Sequence, residues 1–208
     1  MDALTTQRVQ TVTREGDLLR SKIAWKHAVL RQSLTYRLVD LGDAAISQWE
    51  LGNGLASIVL GRAFLETVAL VFFVAKRTEK MLAARDLDGL NQLAMQVTFG
   101  GRSPDWEFPD GPAINVMTAL DHMSKEVEGT RKHYESISEI AHPNSQGTQQ
   151  FYARINHDTG DVTLSNEKRG LSVIRPLLPA IGAGMLAAKK LAQIDDMVVQ
   201  IADLQGLA

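Results

Sequence analysis

The densest group of side chains able to do chemistry lies between positions 131 and 147. It contains a guanidinium, two hydroxyls, an imidazole and an amide, from Arg131, Tyr134, Ser138, His142 and Asn144. On an α-helix each residue advances by about 100°, so Ser138, Arg131 and His142 would fall roughly 40°, 60° and 80° from Tyr134. The sequence therefore predicts a polar stripe along one flank of a buried helix face, where a cleft between helices would carry its polar lining.

His142 would stand at the end of that helix, because Pro143 pushes the residue before it out of the helical region. Unpaired carbonyls at a helix end favour a protonated imidazole, which could donate a proton or bind an anion. Asn144 could hydrogen-bond the backbone or a ligand in the turn. A structural role is the alternative: His142 and Asn144 would cap and turn the chain, while Tyr134 and Ser138 would fill the helix interface.

A second group is the pair Arg62 and Glu66, one helical turn apart in the most apolar stretch of the chain. A buried charge is costly unless it is paired. The two side chains would therefore form a structural ion pair, or Arg62 would clamp an anion or phosphate, oriented by Glu66. If the two helices are neighbours, one cleft would unite both groups. Its catalytic candidates are His142, Arg62 and Glu66, and its binding candidates are Tyr134, Ser138, Asn144 and Arg131.

Motifs of several other site types are missing from the sequence. It has no cysteine, which excludes disulfides and thiolate catalysis. It has no P-loop, no GxSxG, no dinucleotide fingerprint and no HExxH, and its histidines lack metal-ligand spacing. We therefore predict neither a metal nor another cofactor. The acidic pair Asp195 and Asp196 is predicted to be solvated surface.

Two short motifs carry a resemblance to a known superfamily. The first is Arg62-Ala-Phe-Leu-Glu66 in an apolar helix, and the second is Tyr134-x-x-x-Ser138-Glu139-x-x-His142-Pro143-Asn144-x-x-Gly147. Together they resemble a group of uncharacterised bacterial helical proteins, which in turn look like the HEPN superfamily (higher eukaryotes and prokaryotes nucleotide-binding). The match covers roughly the middle half of the chain.

The resemblance implies a helical bundle, often dimeric, and metal-independent RNA cleavage with an arginine and a histidine at the site. Active members carry those two residues close together on one helix. Here the only pair with that spacing is Arg20 and His27, in the first predicted helix. His142 would instead have to pair across helices, with Arg62 or Arg131.

Composition bounds the partners and the location. The 208 residues fit one domain, and the formal net charge of −2 lacks the basic excess of a general nucleic-acid binder, so charge does not support an RNA or nucleotide partner. The polar start lacks the apolar core of a signal peptide, which predicts a cytoplasmic protein. The stretch 55–75 is long enough to cross a bilayer, but Arg62 and Glu66 near its middle predict a buried core helix and no membrane.

Apolar periodicity predicts a mainly α protein, an up-and-down helical bundle over 1–208 with one β-hairpin inserted at about 149–165. The predicted segments are a helix over 3–49 broken at Gly42, a turn at 50–54, helices over 55–83 and 87–98, a long loop over 99–112, a helix over 113–141 with an interruption at Gly129, the hairpin, and a helix over 171–204. The loop would be a connection anchored by Trp106 and Phe108, or a lid. A lone hairpin is marginal in water, so it would pack on the helices.

Small residues crowd the last predicted helix at Gly182, Ala183, Gly184, Ala187 and Ala188. They would pack on the central helix or form a homodimer seam. The net acidity and the arginine–histidine spacing favour a non-catalytic, dimeric binding or regulatory module on a HEPN-like bundle. The polar stripe keeps a ribonuclease or nucleotide-processing enzyme open, and a small-ligand pocket closed by the 99–112 loop is a third hypothesis.

Overall fold

The fold is a helical bundle with one two-stranded hairpin, as the sequence predicts. The structure is a computed structural model, and it describes residues 2–101, 112–165 and 171–206. In chain order the elements are α1 (Asp2–Thr5), α2 (Asp17–Arg20), α3 (Lys22–Glu50), α4 (Gly54–Ala83), α5 (Leu87–Phe99), α6 (Val116–Ser124), α7 (Thr130–Ala141), α8 (Gln149–Tyr152), β1 (Ala153–Ile155), β2 (Val162–Leu164) and α9 (Leu171–Gly206).

Helix α4 is the centre of the bundle and contacts α3, α5, α6, α7 and α9. Its apolar side chains face neighbours on several sides, and Val68, Val71 and Val74 are each 0% exposed. Neighbours on several sides explain why this helix lacks a polar face. Helix α4 is also long and apolar enough to cross a membrane, and 67% of its most apolar 18-residue stretch is buried within the fold.

Helix α3 runs without interruption through Gly42, so the predicted break there is wrong. A glycine inside a helix costs only about 1 kcal/mol relative to alanine, which packing against α4 and α9 offsets. Ser21 fixes the start of α3, since its side chain accepts a hydrogen bond from the Ala24 amide. The predicted turn after α3 is confirmed, with Gly52 at a left-handed φ of 82°.

The segment predicted as one helix over 113–141 forms two helices, α6 and α7. The predicted interruption at Gly129 is confirmed, because this residue takes a left-handed φ of 79° before α7 begins. Asn115 caps α6 by accepting a hydrogen bond from the Met117 amide, so the helix starts later than the predicted position 113.

The ends of the long predicted loop lie close together. Gln96 donates a hydrogen bond of 2.9 Å to the Pro112 carbonyl, and the Ala113 amide donates one of 3.1 Å to the Gly101 carbonyl. Trp106 and Phe108, the predicted anchors, lie outside the described residues.

The hairpin differs from its prediction in two ways. Residues 149–152 form the short helix α8, and only then does Ala153 pair with Leu164 in an antiparallel register. The strands are also exposed, with Leu164 at 73%, so the expectation that they pack on the helices is wrong. Phe151 of α8, only 7% exposed, supplies the packing that the strands lack. In the turn between the strands, Gly160 takes a left-handed φ of 77°.

The small residues of α9 pack closely on α4, one of the two interpretations that the sequence allowed. Ala183 and Ala187 are 6% and 0% exposed. A Cβ atom added to Gly184 would lie 2.7 Å from Phe64 Cζ, so glycine lets the two helices approach without displacing the Phe64 ring. Gly182, in contrast, faces open space.

Candidate functional site

Arg62, Glu66 and Tyr134 form a hydrogen-bonded triangle between α4 and α7, which we call the polar cluster. Arg62 donates from Nε to Glu66 Oε1 at 3.1 Å and from its terminal nitrogen Nη2 to the Tyr134 hydroxyl at 3.1 Å. The Tyr134 hydroxyl donates to the same Glu66 oxygen at 2.8 Å. The predicted ion pair is thus confirmed. Helices α4 and α7 are neighbours, as predicted, and this brings Tyr134 into contact with the pair.

Burial differs within the polar cluster. Tyr134 is 5% exposed, whereas the side chains of Arg62 and Glu66 are 28% and 27% exposed. The guanidinium carbon lies 5.5 Å from the centre of the Tyr134 ring, close enough for a cation–π contact. The phenol therefore forms the inner wall of the cluster, while both charges reach its surface.

The surroundings keep Arg62 charged. Partial burial works to lower the pKa of Arg62, but the hydrogen bond to Tyr134 and the negative charge of Glu66 outweigh it and raise that pKa above its ordinary value. The Nη1 nitrogen has no hydrogen-bond partner in the described part of the chain. This edge of a fixed cation is free to donate to an anion, although Glu66 offsets much of its charge.

Local geometry places each member of the polar cluster. Arg62 and Glu66 are four residues apart on α4, so both side chains point to the same face. Tyr134 lies on the buried face of α7, together with Thr130 and Ile137. Since α7 packs on α4, this face sets the phenol against the ion pair.

Two polar atoms of α7 near Tyr134 are buried without a hydrogen-bond partner among the described residues. They are Ser138 Oγ and His133 Nε2. Burial lowers the pKa of His133, which favours its neutral imidazole. Ser138 lies one helical turn after Tyr134, as the predicted stripe requires, but no hydrogen bond connects it to the polar cluster.

The residues after α7 hold the end of that helix. His142 is the C-cap, and its exposed ring makes no hydrogen bond or ion pair in the described part of the chain. Asn144 Oδ1 accepts from the Gln146 and Gly147 amides at 3.0 and 3.1 Å, and its Nδ2 donates to Glu139 at 2.7 Å. An added Cβ at Gly147 would lie 2.0 Å from the His142 carbonyl oxygen. Asn144 therefore fills the structural role that the sequence left open.

Arg131 is directed away from the polar cluster. Its guanidinium donates to Asp121 of α6 at 2.7 Å and to Glu135 at 3.1 Å. Both partners are acidic and largely exposed, so this ion pairing is of the surface type and contributes little stability. Of the two arginines that the sequence offered to His142, only Arg62 belongs to the polar cluster.

Asp195 is exposed, as predicted for the pair Asp195 and Asp196, and its carboxylate is also a partner of Arg31. Its carboxylate lies 2.7 Å from the Arg31 guanidinium, whose side chain is only 4% exposed. Arg31 also donates to the Gln7 carbonyl and side chain, at 2.9 and 2.8 Å. Sequence reasoning missed this network because no local pattern connects residues so far apart.

No protein-family model, curated protein or solved structure matches this chain. Within residues 2–101, 112–165 and 171–206, no group of three or more His, Asp or Glu side chains could hold a metal ion. The chemistry that the described side chains offer is that of a fixed cation beside a carboxylate and a phenol.

Proposed function

We propose that this chain is a HEPN-like helical module that binds or regulates, works as a homodimer and carries its polar site at Arg62, Glu66 and Tyr134. The supporting observation is that the three side chains of the polar cluster hydrogen-bond to one another. Glu66 accepts from both other members, and Arg62 uses two of its nitrogens inside the triangle. Such an arrangement holds one donor edge rigidly for an anionic group.

The same geometry argues against catalysis at this cluster. A general acid or base must reach the proton that it transfers, within about 2.6–3.2 Å or through one water. The His142 ring is exposed beyond the end of α7 and has no hydrogen bond to Arg62, Glu66 or Tyr134. An arginine has too high a pKa to take the role of histidine.

The proposed dimer seam is the first half of the outward face of α9. Leu178, Ile181 and Met185 are 54%, 54% and 72% exposed, and we call them the apolar patch. Farther along the same face, exposed polar residues such as Lys189 and Asp196 alternate with exposed Ala192 and Val199. An exposed apolar patch with polar residues beside it is typical of an interaction surface. Gly182 beside it leaves room for a second helix.

Light scattering across a concentration series tests the dimer. We expect twice the chain mass for the wild type and the single mass for Met185→Lys, because a lysine would place a charge inside the seam. Ala192→Lys adds the same charge to an exposed position on the second half of this face and should remain dimeric. A wild type that stays monomeric at high concentration would end this part of the proposal.

A metal-independent ribonuclease that uses His142 and an arginine is the second candidate. The observation in its favour is the His142 ring itself, which is exposed and free of hydrogen bonds in the described part of the chain. Incubating a labelled single-stranded RNA with the wild type and with His142→Ala in the presence of EDTA separates the two candidates. Intact RNA in both samples supports the binding module, and cleavage by the wild type alone supports the ribonuclease.

A further inference from the structure

We propose that the cavity between α3, α4 and α9 is a binding site for a small apolar molecule that carries no negative charge. The cavity has a volume of about 420 Å³, and its walls include Trp49, Phe64, Leu177 and Met185. Binding pockets for small molecules are typically about 300–1,000 Å³ and mostly apolar. Leu4 of α1 adds a further apolar wall.

Two glycines let side chains of the facing helix lie close to the backbone where α4 and α9 meet. A Cβ added to Gly61 would lie 2.4 Å from Leu177 Cδ2, and one added to Gly184 would lie 2.7 Å from Phe64 Cζ. Leu177 and Phe64 are themselves cavity walls, and both are buried. Because Gly61 and Gly184 also line the cavity, this close packing of α4 on α9 shapes its inner walls.

The polar groups of the walls define the ligand. Ser57 Oγ already donates to the Ala45 carbonyl at 2.8 Å. Trp49 contributes a largely apolar indole surface to the walls. Asp2 is the single charged residue among the described walls. Among the described walls an anion would meet no cation, and it would be repelled by Asp2.

The cavity is open on one side, where Ile181 and Met185 are 54% and 72% exposed. Water that fills it finds few polar partners among the described walls. An apolar molecule that covers these walls removes apolar surface from water, which is favourable. The cavity uses no side chain of the polar cluster, and its occupancy does not depend on the function proposed for that cluster.

The neutral fluorophore N-phenyl-1-naphthylamine tests the site in the intact 208-residue chain. We expect saturable emission with the wild type and at least tenfold weaker binding to Ala45→Phe, because the added ring would fill the cavity. Ala44→Phe is the matched control, since its neighbouring position does not line the cavity, and it should bind as the wild type does. Absence of binding to the wild type, or equal binding to both variants, overturns the proposal.

A second readout does not require a bulky substitution. Excited tryptophan should transfer energy to the bound fluorophore, and Trp49→Phe should lose most of that transfer while Trp25→Phe keeps it. Loss of transfer in Trp25→Phe alone would place the probe elsewhere and overturn the assignment.

Competition and mass measurements complete the test. Dodecanol and dodecylamine should displace the fluorophore at lower concentration than dodecanoate, and equal potency of dodecanoate overturns the charge preference. Ile181 and Met185 belong both to the cavity walls and to the apolar patch, so light scattering accompanies each titration. A dimeric wild type that excludes the probe, together with a monomeric Ala45→Phe, would assign the cavity to a second copy of the chain and overturn a ligand site.

Discussion

His27 makes the stability of this protein depend on pH in a way that can be worked out from its contacts. The residue is 0% exposed, and its Nε2 lies 3.0 Å from the Leu90 carbonyl oxygen. A carbonyl can only accept a hydrogen bond, so Nε2 carries the proton of the neutral ring. Nδ1 is buried and has no partner among the described residues. Protonation would therefore create a charge and an unsatisfied donor inside the core.

The sign and size of the effect follow from linkage. Burial lowers the pKa of His27 below its ordinary value of 6.5, although the hydrogen bond to Leu90 opposes this. In the unfolded chain a histidine titrates near its ordinary pKa, about 6.5. Below that pH the unfolded state takes up a proton that the folded state refuses. As the pH falls, the free energy of unfolding should then decrease by up to about 1.4 kcal/mol per pH unit until the pKa of His27 in the folded state is reached. The stability contributed by neutral His27 should be fully present above its pKa in the unfolded chain.

Urea unfolding at a series of pH values measures this slope. His27→Gln is the informative variant, because a glutamine amide can donate to the Leu90 carbonyl but does not titrate. We expect it to be less stable than the wild type at neutral pH by about 1–2 kcal/mol, from imperfect packing, yet to lose stability less steeply on acidification. Burial also lowers the pKa of His122 and His133, but both remain in either protein and cancel in the comparison.

His157→Gln is the control, since it removes a histidine from the exposed hairpin turn and should leave the slope of the wild type unchanged. Parallel pH profiles for the wild type and His27→Gln would refute the reasoning, because they would mean that position 27 binds the same protons in both states.

Three further predictions concern contacts of the site and the core. Tyr134→Phe should lower the free energy of unfolding by about 1–2 kcal/mol, measured with urea, since it removes hydrogen bonds to two charged groups. A double-mutant cycle with Glu66→Gln should show that the two effects are coupled, and strictly additive effects would contradict the triangle. Gly147→Ala should lower the free energy of unfolding by about 2 kcal/mol or more, because the new Cβ would collide with the His142 carbonyl 2.0 Å away, whereas Gly206→Ala, facing open space, should change little. Asp195→Asn should lower the free energy of unfolding by about 1–3 kcal/mol, because it leaves the buried Arg31 guanidinium without its anion. Asp196→Asn is the control and should stay within about 0.5 kcal/mol of the wild type. Thermal melting measures both variants, and equal losses would contradict the pairing.

Local pattern was enough to predict most helices and one part of the site. The apolar run of α4 predicted a core helix, and Pro143 predicted the end of α7, since backbone preferences act between near neighbours. Arg62 and Glu66 were paired correctly for the same reason, because four residues along a helix fix two side chains on one face.

Local sequence patterns gave wrong predictions where tertiary packing overrides secondary-structure propensity. Gly42 reads as a helix break, yet α3 continues through it because both flanks are packed on other helices. Residues 149–152 alternate as a strand would, yet they form a helical turn that buries Phe151.

The sequence by itself determined the long helices α4 and α5, the Arg62–Glu66 pair on α4, and the breaks at Gly129 and Pro143, since each depends on residues within a turn or two of each other. Only the tertiary structure decided that Tyr134 closes a triangle with Arg62 and Glu66, that Asp195 neutralises Arg31, that Asn144 is used up in its own turn, and that glycines of α4 and α9 leave a cavity beside Trp49. These outcomes depend on which helix faces meet and at what offset. That choice is set by the summed packing of the whole core, and no short-range spacing in the chain encodes it.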